Sequence, residues 1–452
     1  MRKKENFIYE IKTRTGKTIK TSGDHPFLTE DGFITASNLN SSNKLISYPF
    51  EGVKYENPPD ETILSLSDIE EHLNRIKITN KGNAKTQILN RLKETKLLPI
   101  KYNSPELPIL IKLMGFIFGD GVITILKNKK GFVHFYGKST DLESIRKDLI
   151  SIGLTAQNIF SRERNHEIKT SYGISKFTFT EESLIKKGTG FAVLLACLGV
   201  PTGRKTKIEY RIPKWLLKSP LWQKRLFLAS FFGAELSKPL TLNKYNFYCP
   251  QLNMNKSEKL MDNGIDFLND IRLMLSEFGV ESNYPVRVKG NDYEGKFGKS
   301  VGLRIIIKGH PKNLLNLYKK IGYEYNKERQ KLACLAINYL RLKERSILEK
   351  NNVAQRSGSL LIKHRVNKEF IPFDKYIESC SFGKEGFIIE EIEKISKNIY
   401  DGYVYDFTIN HKDHNFIANN MVVSNFGMRL VTTNLTIKDV KPKIKELVDT
   451  LF

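Results

Sequence analysis

Two short apolar segments constrain this chain more than any other feature. The first is Leu113-Met114-Gly115-Phe116-Ile117-Phe118-Gly119-Asp120-Gly121, and the second is Leu228-Ala229-Ser230-Phe231-Phe232-Gly233-Ala234-Glu235-Leu236. Each reads as the end of an apolar helix, over 107–119 and 222–235. Each carries small residues four apart on one face: Gly115 and Gly119, then Ser230 and Ala234. That spacing lets two helix backbones approach closely. One acid, Asp120 or Glu235, directly follows the second small residue of each segment. Two such helices packed in parallel bring both acids to their C-terminal ends. Helix dipoles disfavour a carboxylate there, and like charges repel. A divalent cation reverses both penalties, and hard carboxylate oxygens with open water positions suit Mg²⁺. Metal-bound carboxylates between basic surfaces fit phosphodiester hydrolysis. One such segment alone reads as a core helix with an acidic end; two in one chain do not.

The flanks of the two segments repeat in element order. After the first helix come strand-like runs at 131–136 and 174–179, interleaved with helical patterns at 140–152 and 182–198. After the second come runs at 246–253, 286–289 and 302–308, with helical patterns at 256–278 and 311–321. This is an internal repeat of roughly 100 residues, with little identity. A charged amphipathic helix is expected over 327–351. Outside this block the chain is β-like at both ends: alternation at 7–11 and 17–21, turns at Gly16 and Asp31-Gly32, then β patterns from Phe387 to Val423. Residues 51–105 read as a polar connector with one surface helix at 68–77. Strands at both ends enclosing an α/β block describe an insertion into a host whose strand ends lie close together.

Composition narrows the partners. The 452 residues include 73 Lys and Arg against 49 Asp and Glu, a formal net charge of +24. Such a charge suits a polyanion, because basic side chains that neutralise phosphates release counterions; a protein that is merely basic is the alternative. Hydrophobic residues at 40% and aromatics at 11% exclude disorder along the whole chain. The longest apolar stretches, 107–118 and 191–200, fall short of the roughly 20 residues a membrane span needs. Residues 2–5 are charged or polar and no signal-peptide core follows them. The expectation is a cytoplasmic monomer without a membrane partner, from a prokaryote and in particular an archaeon. Cys197, Cys249, Cys334 and Cys380 lie far apart, which is neither a zinc pattern nor a disulfide framework.

The two segments resemble the paired LAGLIDADG motifs of DOD-type homing endonucleases. The stretches Leu198-Gly199-Val200-Pro201-Thr202-Gly203-Arg204-Lys205-Thr206 and Arg211-Ile212-Pro213-Lys214-Trp215-Leu216 are similar to spacer signatures of the intein-borne members. The resemblance implies a two-repeat αββαββα domain over 106–335 whose two sheets lie over the major groove of double-stranded DNA. By it, Asp120 and Glu235 are catalytic acids that hold Mg²⁺ (or Mn²⁺). Lys205 and Lys308 flank repeat elements and are the candidate catalytic lysines. Leu236 stands where the motif usually ends in glycine, and Gly233 where an aspartate is common.

The segments Thr21-Ser22-Gly23-Asp24-His25-Pro26-Phe27-Leu28, Val404-Tyr405-Asp406-Phe407-Thr408 and 414–425 resemble the signature blocks of a Hint-fold intein splicing domain. That resemblance covers 1–50 and 387–425. It implies His25 as proton donor to the leaving nitrogen, Asp406 as promoter of branch resolution, and His414 as the assistant of Asn425 cyclisation. The nucleophile that leads an intein, about 70 or more residues before the His block, is missing from a chain with Met1 only shortly before His25. Ser424 stands where the penultimate histidine belongs, and Phe426 offers no thiol or hydroxyl to accept an acyl group. Splicing is therefore expected to be defective, with cleavage after Asn425 still open. Residues 426–452, from Phe426-Gly427-Met428-Arg429-Leu430, resemble a piece of RtcB-type tRNA-splicing RNA ligases, with Phe426 in place of a metal-ligating cysteine. RNA-ligase activity is not expected of such a fragment; the ligase sequence is the expected extein.

The expected architecture is α+β and multidomain. An incomplete all-β Hint-like splicing domain (1–50 and 387–425) is interrupted by a connector or DNA-recognition-like region (51–105), the endonuclease repeats (106–335) and a helical connector (336–386), with the ligase fragment (426–452) last. The expected activity is metal-dependent, site-specific cleavage of double-stranded DNA. A DNA-binding relic without cleavage, or a chain retaining only Asn425 cyclisation, are the alternatives.

Overall fold

The computed structural model describes residues 2–424 apart from 79–82, 127–129, 171–172, 289–292, 296–297, 357–365, 367–368, 406–408 and 410–412. The chain opens with β1 (Arg2–Thr13), β2 (Thr18–Thr21), β3 (Pro26–Thr29), β4 (Gly32–Thr35) and β5 (Lys44–Ser47). Then follow β6 (Thr62–Leu64), α1 (Leu66–Arg75), α2 (Ala84–Glu94) and β7 (Ile100–Lys101). The first repeat holds α3 (Leu107–Phe118), β8 (Gly121–Ile125), β9 (Gly131–Tyr136), α4 (Ser139–Ser151), β10 (Phe160–Thr170), β11 (Gly173–Lys187) and α5 (Thr189–Cys197). A short α6 (Lys214–Lys218) leads to the second repeat: α7 (Leu221–Glu235), β12 (Gln251–Ser257), α8 (Met261–Glu277), β13 (Val286–Arg287), β14 (Tyr293–Gly295), β15 (Gly298–Ile306) and α9 (Pro311–Asn316). The chain closes with α10 (Lys327–Arg356), α11 (Phe373–Cys380), β16 (Ser381–Phe382), β17 (Phe387–Tyr405), β18 (Asn415–Ala418) and β19 (Met421–Ser424).

Both ends of the chain build one sheet. Its strand order is β18-β19-β3-β5-β17-β1-β2, with β4 on β3 and β16 on β17. The long pair β1–β17 is antiparallel, from Arg2 opposite Tyr405 to Thr13 opposite Ile392. Ile11, Phe27, Leu45, Met421 and Val423 form its small separate core. Gly16, at φ +84°, makes the left-handed turn between β1 and β2.

The inserted repeats share a second, much larger core. The first repeat shows the full αββαββα order, with a four-stranded sheet β10-β11-β9-β8. The second repeat is shorter. Its sheet runs β12-β15-β13 with β14 on β15. Where the first repeat has a hairpin after its helix, the described residues before β12 contribute only the bridge Thr241–Phe247. The strand expected over 246–253 begins at Gln251 instead.

Residues 51–105 are more than a polar connector. Ser65 and Asp68 close a capping box at the start of α1. Ile69 and Leu73 of α1, and Ile88, Leu89 and Leu92 of α2, are buried in the large core. Polar residues cover the other face of each helix and dominate the composition. The helix α10 and α11 dock the insert on the terminal sheet. Arg345 grips Glu393 of β17 with both Nη atoms at 2.6 Å. Glu51 accepts from Lys17, Lys319 and Arg341, each at 2.8 Å. Among the described residues no helix is long and apolar enough to cross a membrane.

Candidate active site at the paired helix ends

Helices α3 and α7 form the centre of the insert because they are apolar on nearly every side, a pattern that only a buried helix satisfies. A Cβ on Gly115 would collide with the carbonyl oxygen of Phe227 and come within 3.0 Å of Ser230 Cβ. A Cβ on Gly119 would lie 2.5 Å from Ala234 Cβ and 3.0 Å from Glu235 Cγ. The contacts advance together along both helices, so the helices run parallel. The small-residue faces meet, and both acids arrive at the same end.

Glu235 is partly buried, and its carboxyl is pushed up to about 7. Burial is the main cause and the charge of Asp120 the next; Lys205 and Arg329 pull the other way. Asp120 keeps an edge open to solvent, yet the protein packed around its carboxyl raises its pKa, again against Lys205 and Arg329. Glu235 carries the additional push of the Asp120 charge.

Lys205 stands directly at this site. Its Nζ donates to the carbonyls of Ile117 and Phe118, each at 3.0 Å, and to that of Gly119. It thereby caps the negative end of α3. Burial depresses its pKa to about 8, opposed by Glu235 and Asp120. On the second helix the same task falls to Arg329 in the first turn of α10. Its Nη1 donates to Phe232 O at 3.0 Å and to Gly233 O, and Asn326 Nδ2 reaches Gly233 O at 2.8 Å. Phe232 and Gly233 correspond to Ile117 and Phe118 when Ser230 is matched to Gly115. Arg329 escaped the sequence reading.

The two motif departures have plain structural reasons. A Cβ on Gly233 would run into the carbonyl oxygen of Glu324, so no aspartate fits there without movement of that loop. Leu236 has ordinary extended dihedrals, φ −76° and ψ 138°, and its side chain is fully buried. Its backbone makes no demand for glycine. Lys308, in contrast, is held by Glu281 at 2.6 Å on the surface, and no described contact joins it to the acids.

In the terminal sheet, β19 meets β3 at Val423–Phe27, and β18 meets β19 from Asn415–Ser424 onward. The start of β3, the end of β19 and the start of β18 therefore share one end of the sheet. That places His25 and His414 together there. The His25 ring lies 5.7 Å from that of Phe27 and 6.4 Å from that of Phe416. His414 takes φ +44°, its Nδ1 is 3.3 Å from Ile409 O, and its own carbonyl accepts from Ser424 Oγ at 3.2 Å. Asp406, Asn425 and the whole of 426–452 lie outside the described residues.

The paired acids suit a hard divalent cation. Mg²⁺ is commonly held by one or two carboxylates, with water and substrate phosphate filling its other positions, and two crowded carboxyls with raised pKa values gain most from such a charge. No larger group of His, Cys, Asp or Glu with metal-site spacing occurs among the described residues.

Comparison with known proteins agrees with the terminal sheet. The model of the intein splicing domain matches residues 1–425. A tRNA-splicing ligase RtcB of Methanocaldococcus jannaschii is 36% identical over 488 residues, covering 98% of this chain and 48% of that protein. The RtcB ligase of Pyrococcus abyssi is 35% identical, covering 98% of this chain and 44% of that protein. A DNA-directed RNA polymerase subunit, Rpo1N of M. jannaschii, is 34% identical, covering 92% of this chain and 30% of that protein. The chain thus spans about half the length, or less, of these curated relatives. A LAGLIDADG meganuclease bound to uncleaved DNA aligns over 56% of this chain and 99% of its own, at 11% identity and a TM-score of 0.27, too low to support a conclusion. With a match to the splicing-domain model that runs through both ends of the terminal sheet, the chain belongs to the intein splicing domain family.

Proposed function

We propose that the inserted repeats are a site-specific, divalent-metal-dependent DNA endonuclease of the LAGLIDADG type, carried by an intein whose own splicing is defective. The observation that carries this reading is the doubled site. Two parallel helices each end in an acid, and a cation from each repeat sits on corresponding carbonyls. Asp120 and Glu235 would hold Mg²⁺ (or Mn²⁺), which supplies charge stabilisation at the scissile phosphate and a more acidic bound water. Lys205 and Arg329 fix the helix ends so that the acids face the same point, and they offset the negative charge gathered there. Burial holds the Lys205 pKa down to about 8, while its ammonium donates to three main-chain carbonyls. Lys308 is not supported in this role. The net charge of +24 and the two sheets suit a duplex, with phosphate contacts positioning it and fewer side chains reading bases.

The ordinary dihedrals of Leu236, φ −76° and ψ 138°, favour the endonuclease over a DNA-binding relic without cleavage. In the splicing half, the family resemblance implies that His25 would protonate the leaving nitrogen, Asp406 would promote branch resolution and His414 would assist Asn425 cyclisation. Phe426 still cannot take over an acyl group, so cleavage after Asn425 rather than ligation is proposed there. The identity to RtcB ligases makes an intein-less ligase gene the natural target DNA and ligase sequence the natural extein.

The test is cleavage of a plasmid carrying that gene, with Mg²⁺, beside Asp120→Asn. Discrete cutting by the parent, with a loss of roughly 10³-fold in the variant, is the expected result. A parent that binds the plasmid in a salt-sensitive manner but never nicks it would sink the endonuclease reading.

A further inference from the structure

Lys256 is a buried charge that touches neither of the two acids. It lies on β12 of the second repeat and its side chain is fully buried. Buried lysines ordinarily pair with a carboxylate. This one spends its ammonium on main-chain oxygens. Its Nζ donates to Lys205 O at 3.2 Å and to Ile208 O, and it sits 4.0 Å from the centroid of the Tyr210 ring. Tyr210 in turn packs edge-on against Phe118 of α3 at 5.8 Å and Phe267 of α8 at 4.9 Å. The two carbonyls bracket the single 3₁₀ turn Lys205–Lys207, on which Lys205 stands.

The second repeat is shaped to admit this side chain. A Cβ on Gly264 of α8 would lie 2.8 Å from Lys256 Cγ and 2.5 Å from Leu303 Cδ1. The missing side chain at Gly264 is what leaves the Lys256 stem a path beneath the helix. A flexible surface lysine would need no such clearance.

We propose that Lys256 is a positioning residue for the cleavage site: from the second repeat it clamps the 205–208 backbone, so that Lys205 reaches the α3 carbonyls beside Asp120 and Glu235. The clamp couples the repeats, because the cation serving the first helix is held in place by the second repeat. This rests on the endonuclease reading for its catalytic consequence, but not for its geometry. Lys256 touches neither acid and is not itself a catalytic residue.

The experiment compares Lys256→Met and Lys256→Arg with the parent in four measurements: thermal melting, plasmid binding, Mg²⁺-dependent strand cleavage, and accessibility of Lys205 to reductive methylation read by peptide mass spectrometry. Methionine keeps the length and apolar stem while removing the donor. Expected for Lys256→Met are a cleavage rate lower by about 10²-fold, the scale of a misplacement of about 1 Å, binding within about threefold of the parent, and Lys205 methylation raised several-fold. Lys256→Arg, which retains donors, should recover part of the rate. Unchanged cleavage or unchanged Lys205 methylation in Lys256→Met overturns the proposal. So does a parallel loss of melting temperature, binding and rate, which would make Lys256 a general structural residue. If the parent itself never cuts, the methylation result decides alone: raised accessibility keeps the clamp while the endonuclease reading falls, and unchanged accessibility removes both.

Discussion

In the first repeat Lys205 donates to the carbonyls of Ile117 and Phe118; in the second, Arg329 donates to those of Phe232 and Gly233. The two cations come from different kinds of element, a 3₁₀ turn and the first turn of a long helix, yet they do the same work on corresponding atoms. The sheets show the opposite relation. One face of β9 presents Phe132, His134 and Tyr136 as an aromatic row with neighbouring centroids about 6 Å apart. The matching strands of the second repeat present Asn253 bonded to Arg304 at 2.6 Å. What meets at the shared axis is constrained by close approach and charge. What faces outward differs freely, as two halves of an asymmetric surface can.

The motif-final position gives the sharpest way to break this comparison. The first repeat has Gly121 there and the second has Leu236. If Leu236 is a lesion, Leu236→Gly should improve cleavage at little cost. The buried side chain and ordinary dihedrals predict otherwise. Removing a fully buried leucine should cost about 3–4 kcal/mol, seen as a lower urea midpoint, with no gain in cleavage. A faster variant of unchanged stability would show that the second repeat had decayed.

The acids make a second contrast, read by pH. Burial, with the charge of Asp120, pushes the Glu235 carboxyl up to about 7 from 4.5 for the free side chain. A carboxyl raised in the folded state stabilises the fold fully below the unfolded value, and that contribution is lost as pH rises through the folded one. Between pH 4.5 and 7 the loss is at most about 3.4 kcal/mol at 1.36 kcal/mol per pH step, and solvent contact reduces it. Asp120 shifts in the same direction. Lys205 has the reverse sign and acts between about 8 and 10.5, outside this window. Added Mg²⁺ should therefore raise the melting temperature more at pH 7.5 than at pH 5, and Glu235→Gln should flatten the difference. Equal shifts at both pH values would remove Glu235 from the proposed cation site.

Much of this is legible in the amino-acid sequence alone. The four-residue spacing of Gly115 and Gly119, and of Ser230 and Ala234, specifies a close helix pair through local geometry alone, and the acids follow by position. The β character of both ends was equally plain from alternation. Three things were not. Arg329 and Lys256 act on the backbone of distant elements, and no local pattern separates them from the many other cations of so basic a chain; Lys308 looked as good and is simply paired with Glu281. The helices α1 and α2 hide their apolar faces among charges. The reduced strand content before β12 depends on what the second repeat packs against, which period-two alternation does not record.

The smallest expected effect tests which helix of the pair carries the requirement for close approach. Only α3 lacks Cβ atoms at the contact; Ser230 and Ala234 already have theirs. A methyl added at Gly119 must displace Ala234 Cβ from 2.5 Å, and the neighbouring backbones leave little room to yield. Gly119→Ala should therefore destabilise by about 2 kcal/mol, in the usual range for overpacking; Gly119 caps α3 with non-helical dihedrals, φ −90° and ψ −101°, so helix propensity offers no compensation. Ala234→Gly removes a methyl from the other side and should cost about 1 kcal/mol, mainly from propensity and lost contact. The double variant Gly119→Ala/Ala234→Gly moves the methyl across the interface and leaves its number unchanged. If close approach is what the pair selects, the double variant should be more stable than the sum of the singles predicts, by about 1 kcal/mol or more in a double-mutant cycle on the urea midpoint. Strict additivity would mean that the glycines answer to something within α3 itself, and the comparison between the two helices would lose its physical basis.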